Sequence, residues 1–230
     1  MFFDPLYFYL ALPGLLLALL ATWLTRSTFA KYGRVRAASG LTGAEAAERL
    51  LASQGITGVT IREHQGFLSD HYDPRKLTLN LSPDVFNSPS LSAIGVACHE
   101  AGHAIQHAKL YGPLRLRTEL VPVTNIGSQF AYILFFAGML MHSPILLKVG
   151  VVLFLLTVVF AFVTLPVEWD ASRRAKLLMV SAGIVTPLEQ ASAARVLNAA
   201  FMTYVAGAVT ALLTLLYYVI RSGLLGGRRD

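Results

Sequence analysis

Two histidines four residues apart, with a glutamate directly after the first, form the run His99-Glu100-Ala101-Gly102-His103. Residues at this spacing project from one face of a helix, so both imidazoles can bind one metal ion, most naturally one Zn²⁺ per chain. Glu100 lies beside them and can serve as general base. It would take a proton from a metal-activated water attacking a carbonyl, then deliver it to the leaving amine. Zinc brings the pKa of such a water down to about 7, so the nucleophile is available at neutral pH. A five-residue pattern also recurs by chance, and the competing reading is two surface histidines with an unrelated glutamate. The small residues inside the motif and the apolar helix around it favour the metal.

A zinc site that hydrolyses peptides needs a third protein ligand and an open position. His107 continues the four-residue series, but it lies two steps beyond His99, or about 12 Å along a helix axis at 1.5 Å per residue. One metal cannot be bound by both, so His107 reads as a groove-lining or structural residue. Glu168, in Pro166-Val167-Glu168-Trp169-Asp170-Ala171-Ser172, is the stronger candidate. An acid at the end of an apolar run is costly unless partnered; its bland alternative is a salt bridge to Arg173 or Arg174. Asp170 competes as a ligand, although orienting a histidine Nδ1–H suits it better. Arg173 and Arg174 could hold these carboxylates or stabilise an oxyanion, or simply anchor the chain at a membrane. His71 and Tyr72, in a polar cluster, could stabilise a tetrahedral intermediate or belong to a turn. Leu77, Leu79 and Leu81 alternate with polar residues as in a half-buried strand, and an edge strand there could bind substrate by β-addition. Cys98 points about 100° away from His99 around the helix and reads as core.

The elements that must position these residues are largely membrane spans. The chain has 230 residues, 55% hydrophobic and 14% charged, against about 25% charged for an ordinary soluble domain. Residues 5–25, 120–147, 149–167 and 196–220 carry no Asp, Glu, Lys or Arg, and roughly 20 apolar residues cross the hydrocarbon core as a helix. The net charge of +6 comes without clustered Lys/Arg interleaved with aromatics, so no nucleic-acid partner is expected. A single cysteine excludes an intrachain disulfide. Residues 1–4 lack the basic start of a signal peptide, while Arg26, Lys31, Arg34 and Arg36 follow the first run. By the positive-inside rule the N-terminus lies outside and the metal motif inside, facing the cytoplasm. Arg221, Arg228 and Arg229 run against that rule.

The expected fold is a mainly α membrane protein, with four transmembrane helices and a small α+β zinc-peptidase domain at the membrane face; the resemblance given below implies that this domain is gluzincin-like. Spans are expected at residues 5–25, 122–142, 146–166 and 198–220. The zinc-peptidase domain occupies 27–119, with its catalytic helix at 91–109, and a cytoplasmic segment at 167–195 carries the third ligand. Thr42-Gly43-Ala44-Glu45 matches a capping box for a helix that stops near Gly55. Thr186-Pro187-Leu188-Glu189 opens another helix.

Four blocks resemble the YugP-type membrane neutral zinc metallopeptidases of bacteria, and a fifth, weaker block spans residues 199–206. The four cover residues 42–47, 68–75, 96–106 and 165–175, and the second and fourth are long enough to be specific. That family is similar to the integral-membrane gluzincins, which include the CAAX prenyl proteases and the HtpX-type quality-control proteases. There, a glutamate well downstream of the second histidine is the third ligand, which matches Glu168 by position. Those proteins usually carry an aspartate four residues later, where this chain has Ser172, its acid standing at Asp170. The resemblance implies a zinc-dependent endopeptidase of the bacterial inner membrane, acting on a peptide or membrane-protein substrate. The alternative is a non-catalytic, zinc-stabilised scaffold or partner-binding protein in the bilayer, for which Glu100 would have no task.

Overall fold

A computed structural model describes residues 4–66 and 69–224. In chain order its elements are α1 Pro5–Tyr32, α2 Gly43–Ser53, β1 Thr60–Glu63, β2 His71–Asp73, β3 Thr78–Leu81, α3 Pro83–Phe86, α4 Leu91–Ala108, α5 Gly112–Leu140, α6 Pro144–Ser181 and α7 Pro187–Arg221. The chain is mainly helical, and α1, α5, α6 and α7 are each long and apolar enough to cross a membrane. It divides into two compact units. One comprises residues up to Leu20, Leu116–Leu165 and those from Thr203 onward; the other comprises Ala21–Arg115 and Pro166–Met202.

The second unit is built around α4. Ser90 starts this helix by accepting a hydrogen bond from the Ala93 amide at its side-chain Oγ (3.2 Å). Small residues line it, and nearly all of its surface is covered. Helix α2 packs on it and begins with the expected capping box, Glu45 N–H donating to Thr42 Oγ1 and Thr42 N–H to Glu45 Oε2. Gly55 follows at φ +70, where a side chain would be strained, and the helix stops there. Leu50, Leu79, Leu81, Leu91, Ile94 and Ile105 are fully enclosed. At about 1.5–3 kcal/mol for each such side chain, this core outweighs the short sheet's ladder, whose bonds contribute about 0.5–1.5 kcal/mol net apiece.

That sheet corrects one expectation. The strand order is β1-β3-β2, with β3 parallel to β1 and antiparallel to β2. Leu79 and Leu81 thus sit on the central strand with their side chains in the core, and Leu77 precedes the strand at φ +52. No unpaired edge exists on β3 for a substrate to join, because both sides of its ladder are already occupied. The residues read as a substrate-binding strand are core residues and a turn.

The first unit packs its own apolar and aromatic core. Phe135 stacks on Tyr218 with centroids 3.7 Å apart, and Ala131, Val151, Phe154, Val158 and Tyr217 complete the cluster. Tyr9, Leu15, Leu16 and Leu19 of α1 and Ile126, Ile133 and Phe136 of α5 face outward. So much exposed apolar surface is untenable in water and expected against lipid. Arg221, one of the cations that run against the positive-inside rule, forms an ion pair with Asp4, whose carboxylate also accepts from Tyr217 Oη (2.9 Å). Arg228 and Arg229 lie outside the described residues.

The third charge-free run ends at residue 167, but the helix that carries it does not stop there. Helix α6 continues through Pro166 to Ser181, so Glu168 belongs to a helix interior rather than to a separate segment. Proline removes one backbone bond, but long apolar helices tolerate this where neighbouring groups satisfy the freed carbonyl. A tight turn at His142-Ser143-Pro144 joins α5 to α6, with His142 at φ +52 and the Ser143 amide donating to Gly138 O.

Candidate metal centre

Three potential ligand atoms from α4 and α6 converge. His99 Nε2 lies 3.1 Å from Glu168 Oε2, and His103 Nε2 lies 3.5 Å from the same oxygen. The three ligand atoms all fall within 4.8 Å of one another. Ligands about 2.0–2.2 Å from a tetrahedral zinc are about 3.3–3.6 Å apart, so these residues fit a single ion. Among the described residues no other group of His, Cys, Asp or Glu is arranged in this way. Glu168 is only 1% exposed, and a carboxylate so buried must be partnered by a cation or by strong donors.

The helices can come this close because Gly102 has no side chain. A Cβ placed there would lie 2.7 Å from the Ala171 carbonyl oxygen, a backbone atom that cannot rotate away. The residue between the two motif histidines is therefore what lets α4 lie against α6.

Each imidazole is held by its far nitrogen. Ser172 Oγ lies 3.1 Å from His99 Nδ1, and Gln106 Oε1 lies 3.0 Å from His103 Nδ1. If both Nδ1–H groups donate to these oxygens, both Nε2 lone pairs point at the ligand cluster, the arrangement that metal-binding histidines need. Ser172 thus meets a histidine from the position, four after Glu168, where the resembled gluzincins carry aspartate. Gln106 is fully buried, and its amide donates to Val167 O (2.8 Å) and Asp170 Oδ2 (2.9 Å). Asp170 also accepts from Arg174 Nε at 2.5 Å. The direct link expected between Asp170 and a histidine is instead relayed through Gln106. Arg173 is exposed, and its neighbour Arg174 makes the carboxylate contact. Gln106 went unread in the sequence, although three residues past His103 puts it on the same helical face.

Glu100 is 9% exposed, and among the described residues its carboxylate makes no hydrogen bond or ion pair. It remains available to a mobile partner. Burial disfavours a charged His103, but the carboxylates of Glu168 and Glu100 and the Gln106 bond together outweigh it and raise its pKa. His107 faces elsewhere, its Nδ1 lying 2.9 Å from Tyr72 Oη. Burial pushes the Tyr72 hydroxyl up to about 12, with Asp73 adding to the effect. His71 is exposed, its Nδ1 lying 2.9 Å from Ser69 O and its Nε2 3.2 Å from Asn80 Nδ2, away from the ligand cluster. His71 and Tyr72 belong to strand β2, and the polar block ends in a turn in which Asp73 Oδ1 accepts from the Arg75 and Lys76 amides. Leu68, at its start, lies outside the described residues. Cys98 is buried, its thiol pushed up to about 12 by desolvation, which suits packing and not metal binding.

A family model described as "Putative neutral zinc metallopeptidase" matches residues 7–223. The "Putative membrane protease YugP" of Bacillus subtilis (strain 168) is 44% identical over 215 residues, covering 94% of this chain and 96% of that protein. No solved structure matches the chain.

Proposed function

Since the chain belongs to this family of neutral zinc metallopeptidases, we propose that it is a zinc-dependent membrane endopeptidase. His99, His103 and Glu168 hold one zinc ion per chain, and Glu100 is the general base. The observation that carries this reading is the convergence of the three ligand atoms beside a nearly buried, unpaired Glu100. Bound zinc supplies a Lewis acid that acidifies water and polarises a carbonyl. Glu100 removes a proton from the attacking water as its oxygen bonds to the peptide carbonyl carbon. The same carboxyl then delivers that proton to the departing nitrogen as the C–N bond breaks. Gln106 and Ser172 fix the two imidazoles, so the ligand set is rigid before substrate arrives.

Charge asymmetry supports a placement in a bacterial inner membrane with the site facing the cytoplasm. Arg26, Lys31, Arg34, Arg36, Arg173, Arg174 and Lys176 all fall on the expected inner side, and Arg221 on the other side is neutralised by Asp4. The substrate is a peptide or membrane protein, and no nucleic-acid partner is proposed. A purely structural zinc site would leave Glu100 without work. Glu100→Gln should therefore keep zinc at wild-type stoichiometry while hydrolysis of a reporter peptide falls by at least about 10²-fold, the lower range for general base catalysis. A mutant that retains full activity would remove Glu100 from the mechanism.

A further inference from the structure

The metal centre sits at a definable depth. Trp23 on α1 and Trp169 on α6 are 63% and 52% exposed, and they are the chain's only two tryptophans. Contacts within the site-bearing unit bring them to one level. Thr25 Oγ1 donates to Ala199 O on α7 (3.0 Å). Phe201, one half-turn further along α7, meets the Trp169 ring edge-on at 5.4 Å. Helix α1 leaves its charge-free run where α7 enters its own. Stepping back from Thr25 to Trp23 and forward from Ala199 to Phe201 therefore moves about 3 Å in the same direction on both helices. Trp23, Phe201 and Trp169 form one aromatic level.

That level is also where charge stops. The charge-free runs end at residue 25 on α1 and 167 on α6, and one starts at 196 on α7. Just beyond it, Arg26 follows on α1, and Lys176 reaches back over Trp169 with its Nζ 5.3 Å from the ring, while donating to Asn198 Oδ1. Exposed tryptophans bordered by cations whose stems fold back along apolar surface mark a membrane–water boundary. Glu168 immediately precedes Trp169, a rise of about 1.5 Å along the helix.

We infer that the site cuts membrane-anchored proteins at the headgroup level, in the few residues where their chain enters the bilayer. This rests on the peptidase reading above. The headgroup layer is about 5–7 Å deep on each side, and an extended chain covers 3.3–3.6 Å per residue. The scissile bond therefore lies within about two residues of a substrate's hydrocarbon-embedded segment. Free peptides lack an anchor to hold a bond at that depth.

Two measurements on the full chain in phospholipid vesicles test this. Trp23→Phe leaves Trp169 as the sole indole. Its fluorescence should be quenched most by a nitroxide at the headgroup or upper acyl chain. Strongest quenching by a chain-end nitroxide, or by aqueous iodide alone, overturns the placement whatever the enzyme does. The second measurement uses one peptide sequence fused at increasing distance from a single-span helix, alongside the same peptide free in solution. Cutting should peak close to the span, with the free peptide at least tenfold slower. Equal rates for free and anchored peptides overturn the substrate class while leaving the peptidase reading intact. No cutting of any of them overturns that reading and the substrate class together, with the depth result unaffected.

Discussion

Alanine at two glycines of α4 gives opposite outcomes if the close approach of α4 to α6 sets the metal site. At Gly95 a new Cβ would meet its nearest atom, Ala193 O, at 3.5 Å, an ordinary contact. Gly95→Ala should therefore gain the helix preference of alanine, about 0.5–1 kcal/mol. At Gly102 the same Cβ would lie 2.7 Å from Ala171 O, with the Ala171 carbonyl carbon and Cα both at 3.2 Å. Reaching ordinary contact requires the helices to part by roughly 0.7 Å, and such overpacking costs about 1–3 kcal/mol. After the helix gain, Gly102→Ala is net destabilising by about 0.5–2 kcal/mol. The same displacement opens the His99–Glu168 and His103–Glu168 separations from 3.1 and 3.5 Å to spans that one ion bridges poorly. Zinc affinity should fall about 10–100-fold, the range for a disturbed ligand support. Chelator competition on purified protein in detergent gives the affinity, and thermal unfolding of both mutants gives the stability. If Gly102→Ala binds zinc as tightly as Gly95→Ala, the close approach does not control the site, and the reasoning fails.

Two further outcomes follow from the same geometry. Glu168→Ala should lower zinc occupancy more than Gln106→Ala, since the first removes a ligand and the second a support, about 10–100-fold in affinity; equal occupancy in wild type and Glu168→Ala, read by metal analysis, would reassign the third ligand. Cys98, with its thiol pushed up to about 12 by complete burial, should resist alkylation at pH 8 until denaturant is added. Labelling of the native protein, detected by mass spectrometry, would contradict the packing of α4.

The parts of this site that were legible in the sequence are those with a local signature. The motif's spacing and the apolar residues around it point to a helix, and α4 runs Leu91–Ala108. Glu168 was legible because an acid beside an apolar run must have a partner. Where partners come from elsewhere in the chain, the sequence was silent or misleading. Alternation of Leu77, Leu79 and Leu81 identified a strand but not its neighbours, and the parallel pairing with β1 moved β3 from edge to centre. The end of the charge-free run at residue 167 gave the limit of a span, but not the length of helix α6, which continues through Pro166 to Ser181 because its surroundings tolerate the proline. Gln106 was passed over because an amide shows its use only when both ends meet something, here His103 and Asp170. The role of Gly102 depends on a backbone 69 residues later in the chain.

The placement of the ligands on α4 and α6 also sets an order in time. His99 and Glu168 are separated by 69 positions, so at 5–20 residues per second a ribosome needs roughly 3–14 s to pass from one to the other. For most of that interval the nascent chain holds the motif's two histidines and glutamate but lacks the acid proposed to complete the ligand set, while α5 and the first part of α6 are being made. On the proposed reading, the motif histidines and Glu100 precede the third ligand in time as well as in sequence. The proposed hydrolytic chemistry therefore waits on the synthesis of α6 as far as Glu168.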